Sequence, residues 1–137
     1  MRSYYRIILG KGNEFAEDCH SNGYVGAHFD IKEDLTSQLP DKWREFNKRF
    51  IPVLLADNPD RSKISAGLAC GALWTISKGM QIGDVVMCPD GGGSYWFGRV
   101  KSDYYYVADS DLLHRRAIEW IDGSIDRESL SQAFQNS

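Results

Sequence analysis

Three histidines, His20, His28 and His114, and three cysteines, Cys19, Cys70 and Cys88, are the side chains of this 137-residue chain best suited to nucleophilic, acid–base or metal chemistry. Their spacing supports little of it. No two cysteines form a CxxC pair, and no HExxH, nucleophile-elbow or Walker A run occurs. His28 and Asp30 fall on one side of a strand, but two such groups do not make up a metal's ligand set. Gly10-Lys11-Gly12 is too short to cradle a phosphate. Gly91-Gly92-Gly93 follows a strand without opening a helix, so it reads as a hairpin turn. The expectation is binding without catalysis, with no catalytic residue, metal or cofactor.

Aromatic side chains carry the stronger signal, with four Trp and seven Tyr, more than a small core needs to display at strand and helix ends. Phe29 ends an apolar strand just before a polar loop. Trp96 shares a strand face with Gly98, opposite Tyr95 and Phe97. Trp74 lies two positions from a stripe of Ile64, Leu68, Ala72 and Ile76 at helical spacing, which is expected to face the core. Its side of the helix carries the small residues Ala66, Gly67, Cys70 and Gly71. A ring there either meets another closely packed element or walls a pocket. Trp43 and Trp120 sit at core phases of their elements.

The net charge of -3 opposes a nonspecific nucleic-acid binder, since such proteins are usually basic. A local basic face is still compatible with it. Basic residues cluster around Lys42 to Arg49, at Arg61 and Lys63, at Arg99 and Lys101, and in His114-Arg115-Arg116, where solvated surface is the ordinary expectation.

The elements that must position these groups follow from periodicity and turn residues. Residues 3–9 and 24–29 read as strands, with Gly26 suggesting a bend or a close backbone approach. Between them, Asn13 is placed to cap a helix over residues 14–20 that Asn22-Gly23 stops. Residues 30–40 read as a loop. Asp41 caps a helix to Phe50 with Trp43, Phe46 and Phe50 inward, and Pro52 and Asn58-Pro59 bracket an irregular link. Asp60 or Ser62 starts the longest helix, to Lys78. Residues 84–88, 94–101, 104–108 and 114–121 read as strands, and Asp126 caps a last helix over 127–134. Helices inserted early among short strands imply an α+β fold of five to six mostly antiparallel strands curled into a pseudo β-barrel. The length suits one domain over residues 1–137. No apolar run approaches the roughly 20 residues of a membrane span, no signal-peptide pattern opens the chain, and unpaired thiols suit a reducing compartment. The expected setting is cytoplasmic, without membrane contact.

The ordered set Gly10-Lys11-Gly12-Asn13, Tyr24-Val25-Gly26-Ala27-His28-Phe29, residues 69–76, residues 79–86, Tyr95-Trp96-Phe97-Gly98-Arg99-Val100, Tyr104-Tyr105-Tyr106 and residues 114–120 resembles the N-terminal domain of Mrr-like modification-dependent restriction endonucleases. That domain is similar to the PUA-like superfamily, beside the EVE and YTH readers. The resemblance covers nearly the whole chain. It implies a non-catalytic module that flips a modified base, such as a methylated one, into an aromatic pocket, joined to or associated with a nuclease in antiviral defence. Stacking on rings returns about 1–3 kcal/mol per base, against an unstacking cost of a few kcal/mol. Phe29 stands where relatives commonly carry Trp. Phe29, Trp74 and Trp96 are the expected walls, Asn13, His28 and Asp30 the polar groups at the base edge, and Lys11, Arg61, Lys63 and Lys78 the phosphate contacts. The alternatives are an RNA or free-nucleotide binder on the same fold, a protein-interaction module without an open pocket, and a small nuclease.

Overall fold

The computed structural model describes residues 3–121 and the backbone of 125–126. In chain order come β1 (Tyr4–Arg6), a 3-10 turn (Lys11–Asn13), α1 (Ala16–Asn22), β2 (Tyr24–Ala27), α2 (Trp43–Asp57), α3 (Lys63–Trp74) and one π-helical turn (Thr75–Gly79). Then follow β3 (Val85–Pro89), β4 (Ser94–Val100), β5 (Tyr105–Tyr106), β6 (His114–Trp120) and β7 (Ile125–Asp126). The helix expected over 127–134 lies outside the described residues. The sheet runs β1-β3-β4-β6-β2, with β7 on β4 and β5 on β6. The β1–β3 pair is parallel, while β4 pairs antiparallel with β3, β6 and β7. The class is therefore α+β with a mixed sheet. Among the described residues the sheet is not closed into the expected barrel: the hydrogen-bonded path has two ends, β1 and β2, which are three and four residues long and offer few backbone groups for closing a ring. No helix among the described residues is long and apolar enough to cross a membrane.

The residues group into two compact units. One comprises Met1–Val25, Ile82–Ser102 and Ala117–Ser137, the other Gly26–Gln81 and Asp103–Arg116.

In the first unit, strand alternation puts Val86, Cys88, Gly98, Val100 and Ile118 on one buried sheet face, together with Ala16 and Cys19 of α1. The Trp120 indole donates to the Cys19 carbonyl at 3.1 Å, tying α1 to this face. Gly98 is required there, because a Cβ would come within 2.3 Å of Ile118 and 2.8 Å of Trp120. Asn13 does not cap α1. Its side chain accepts from Leu9 N–H and donates to the Pro89 carbonyl, fastening the turn after β1 to the end of β3. Gly23, left-handed at φ 71°, ends α1 as the sequence implies.

In the second unit, α3 presents the opposite side from the one expected, although Ile76, the last residue of the expected stripe, is buried in the turn that follows. Ala66, Ala69, Cys70 and Leu73 are buried, while Ile64 and Leu68 are 79% and 72% exposed. Small side chains let α2 and α3 approach closely, and the Asn47 amide reaches the Gly67 carbonyl of α3 at 3.2 Å. The larger aliphatic side chains would hold the helices apart, so they turn outward. The α2 helix also continues through Pro52 to Asp57, where an irregular link was expected. Phe46 and Phe50 are buried as expected, but Trp43, in the first turn, is 47% exposed. The Ser62 hydroxyl caps α3, accepting from Ser65 N–H at 3.0 Å.

The basic run at the start of β6 is not surface. His114 and Arg116 are buried, on the same side of the strand. Arg116 donates from one guanidinium nitrogen to the carbonyls of Ile76 (3.1 Å), Ser77 (3.4 Å) and Met80 (2.7 Å). These are carbonyls that the end of the helical segment leaves without an intrahelical donor. Gly26, as its place in β2 suggested, lies against this strand, where a Cβ would come 2.9 Å from the His114 carbonyl. Replacing Arg116 with Met should preserve volume but strand those carbonyls, lowering unfolding free energy by about 2–4 kcal/mol. Urea denaturation of the two proteins checks this, and an unchanged midpoint would refute the capping role.

Candidate functional site

In the second unit, β2 stops at Ala27 and the chain turns sharply. Phe29 and Asp30 both adopt left-handed backbone, at φ 50° and 63°. For a residue with a Cβ each such conformation costs about 1–2 kcal/mol. The turn leaves the Phe29 ring half-buried and the Asp30 carboxylate exposed. Asp30 N–H donates to His28 Nδ1 at 3.1 Å, and the Asp30 carboxylate lies 3.8 Å from the same nitrogen. The Arg61 guanidinium is 3.8 Å from the other side of the same carboxylate. Arg61 is itself held in place by its Nε, which donates to Ser65 Oγ at 3.1 Å in the first turn of α3.

Asp30 and Arg61 stand on the rim of a cleft of about 630 Å³, within the usual range for small-ligand sites. Ile31, Val53 and Leu54 give it apolar walls, and Lys32, Glu33, Asp57 and Asn58 complete its polar lining. The cleft therefore offers carboxylate and amide acceptors, guanidinium and amide donors, and an apolar patch.

Behind the cleft the 31–35 loop is pinned by a buried hydrogen-bond chain. A carbonyl can only accept, so His114 Nε2 carries the proton and donates to Ile31 O at 2.6 Å. His114 Nδ1 then accepts from the Tyr104 hydroxyl at 2.7 Å, whose oxygen accepts from Leu35 N–H at 3.0 Å. Burial pushes His114 below its ordinary pKa, with only partial compensation from the Ile31 bond and from Asp34 and Glu33. Burial also raises Tyr104, to about 12, so both groups stay neutral around pH 7. Asp34, lowered by bonds from the Thr36 hydroxyl and N–H, is a structural turn residue at the end of this loop.

Of the residues singled out in the sequence, His28, Asp30 and Arg61 are brought together, with Phe29 between the first two. Trp74 belongs to the same unit but packs its ring over Gly79, where a Cβ would come within 2.9 Å, and its indole N–H donates to the Pro40 carbonyl at 2.8 Å. Of the alternatives the sequence left open, close packing describes it. Lys63 opens α3 outside the cleft lining, and Lys78 lies 3.8 Å from Asp41. Trp96, Asn13 and Lys11 belong to the first unit. There Trp96 stacks on His20 with ring centroids 4.0 Å apart, Asn13 fastens a turn, and Lys11 is exposed. Among the described residues no three His, Cys, Asp or Glu side chains converge as metal ligands. Cys70 is buried and its pKa raised to about 11 by that burial, which leaves it an unreactive thiol at neutral pH.

The sequence did not reveal Asp57, Asn58, Val53 and Leu54 as cleft residues. Stopping α2 at Phe50 put them in an irregular link, whereas the continued helix aligns them along one wall. His114 was hidden by its basic neighbours.

The fold and cleft define an α+β protein with an open mixed sheet and a solvent-accessible cleft of mixed charge. The chain belongs to the DUF8426 family, a domain of unknown function whose profile matches residues 5–137. No curated protein and no solved structure matches it.

Because folded His114 resists the proton, the unfolded chain binds it more readily as pH falls. Stability from this group is complete above the ordinary histidine value of about 6.5 and is lost as pH drops below it. Thermal melts from about pH 7.5 to about pH 5 should therefore show a falling midpoint, with a shallower fall in His114→Gln. Parallel slopes in the two proteins would show that His114 does not set the dependence.

Proposed function

We propose that this chain is a PUA-like reader of modified DNA bases, acting as the non-catalytic recognition module of a modification-dependent restriction system in the cytoplasm, with a nuclease as its effector. The observation that carries the proposal is the cleft beside the strained Phe29–Asp30 turn. A base extruded from a duplex needs an enclosed slot, polar partners for its edge and an apolar place for its added group. Asp30, Glu33 and Asp57 suit the exocyclic amino groups of cytosine or adenine, and Arg61 suits a ring nitrogen or carbonyl acceptor. Ile31, Val53 and Leu54 supply a wall for a methyl group, whose burial contributes about 0.8 kcal/mol. Phe29, half-buried at the same turn, is the ring nearest in sequence to the cleft rim. With three carboxylates against Lys32 and Arg61, the lining has a slight negative excess, which favours a second ligand for the same slot, a free nucleoside, because it carries no phosphate to be repelled.

The test is fluorescence anisotropy at low salt with duplexes of one sequence carrying 5-methylcytosine, 5-hydroxymethylcytosine, N6-methyladenine or no modification. At least one modified duplex should bind about fourfold more tightly than the unmodified one, the factor that about 0.8 kcal/mol of buried methyl supplies. Asp30→Asn and Arg61→Ala should weaken binding of that modified duplex by about tenfold, within the 1–3 kcal/mol of a good base-edge contact, while circular dichroism stays unchanged. Equal binding of all four duplexes would remove base reading. Binding of the modified nucleoside alone, with no duplex preference, would establish the second ligand instead.

A further inference from the structure

The first unit buries one face of its sheet against α1; on the other, Val85 and Tyr95 are buried while side chains around them reach solvent. Strand register puts Tyr4, Arg6, Val85, Met87, Phe97 and Arg99 side by side on this second face: Tyr4 lies opposite Val85 and Arg6 opposite Met87, while Val85 lies opposite Arg99 and Met87 opposite Phe97. Directly opposed residues share a face. Tyr4 is 72% exposed, Arg6 and Arg99 are exposed, and Phe97 and Met87 are half-exposed. The Arg6 guanidinium lies 6.0 Å from the Tyr95 ring centroid on this same side, fixing it over the sheet. Lys101 follows β4 in the same alternation and is exposed, and Glu119, opposite Arg99, is the one carboxylate that the register places here among the described residues.

We propose that this face binds single-stranded DNA. Three cations against one carboxylate form a locally positive patch on a chain whose net charge is -3, and none of the three makes an ion pair among the described residues. Between them stand two accessible rings, Tyr4 on β1 and Phe97 on β4. These strands are separated by β3 and the two positions are offset by two residues along it, so the rings stand on positions about 12 Å apart, far enough to hold separate bases. Unpaired bases stack on such rings without sequence preference, and cations alongside hold the backbone. A paired duplex hides its base faces and gains only the charge contribution. The choice of DNA over RNA rests on the function proposed above; the chemistry of the face does not.

The test is anisotropy of the full chain with an unmodified, fluorescein-labelled DNA single strand of mixed sequence, competed by the same sequence as duplex and as RNA. The single strand should bind saturably, with log K falling against log salt at a slope of about -2 for three phosphate contacts. Tyr4→Ala, at an exposed position, should weaken it about fivefold or more, and Phe97→Leu, which keeps the packing volume, by a similar factor. Combined Arg6→Ala, Arg99→Ala and Lys101→Ala should weaken it at least tenfold and flatten the salt slope. Single-strand binding that survives these substitutions overturns the proposal. So does tighter binding of the duplex or of RNA, or self-association of the chain that Tyr4→Ala abolishes while DNA goes unbound. Because these substitutions lie outside the cleft, preference for a modified duplex and single-strand binding can fail separately.

Discussion

The second unit depends on a buried guanidinium. A helical segment ending inside a protein leaves carbonyls that need donors, and a charged donor left unmatched in the interior is costly. Arg116 answers both demands by meeting the carbonyls of Ile76, Ser77 and Met80, which end the α3 segment. Two residues earlier, on the same side of β6, neutral His114 holds Ile31 and, through Tyr104, Leu35. One strand face thus terminates a helix and fixes the loop that walls the cleft. Both jobs require polar side chains that are fully satisfied, since a partly satisfied buried network is less stable than an apolar one.

The cleft follows from how closely α2 and α3 approach. Small residues of α3, Ala66, Ala69 and Cys70 among them, are buried, and the Asn47 side chain bonds the Gly67 carbonyl across the two helices. The same α2 helix, carried past Pro52, brings Leu54, Asp57 and Asn58 to the lining that Arg61 shares. A proline within a helix forfeits one backbone bond. The buried Phe46, Phe50 and Leu54 on either side of it supply packing that outweighs the loss. The strained turn at Phe29 and Asp30 is held by Asp30 N–H on His28 and by the Ile31 anchor to His114, so the left-handed residues are fixed from both ends.

In the first unit the sheet divides its labour between two faces. Cys88, Gly98 and Ile118 accept α1, and Trp96 and Trp120 close the margin around His20. The opposite face carries Tyr4, Arg6 and Arg99 into solvent. An overall negative charge and a local positive patch coexist because screening limits surface charges to a range of about 8–10 Å.

Local signals were enough for much of the chain. Apolar runs on either side of the Pro89 to Gly93 turn marked β3 and β4, period-two alternation marked β6, Gly23 and either Asp60 or Ser62 marked helix boundaries, and Gly26 marked a bend or a close approach. The α+β class follows from those elements alone, and His28, Asp30 and Arg61 were legible as polar candidates. What sequence could not decide was which side of α3 is buried. Hydrophobicity favoured Ile64 and Leu68, whereas close helix packing selects small residues, and that selection exists only once a partner helix is in place. For the same reason Pro52 read as a break and the basic run of β6 as surface: carbonyls needing Arg116 and a loop needing His114 lie 36–40 and 83 positions away along the chain. Periodicity reports a residue's own neighbourhood, while burial of charge and the walls of a cleft depend on partners that only the folded chain supplies.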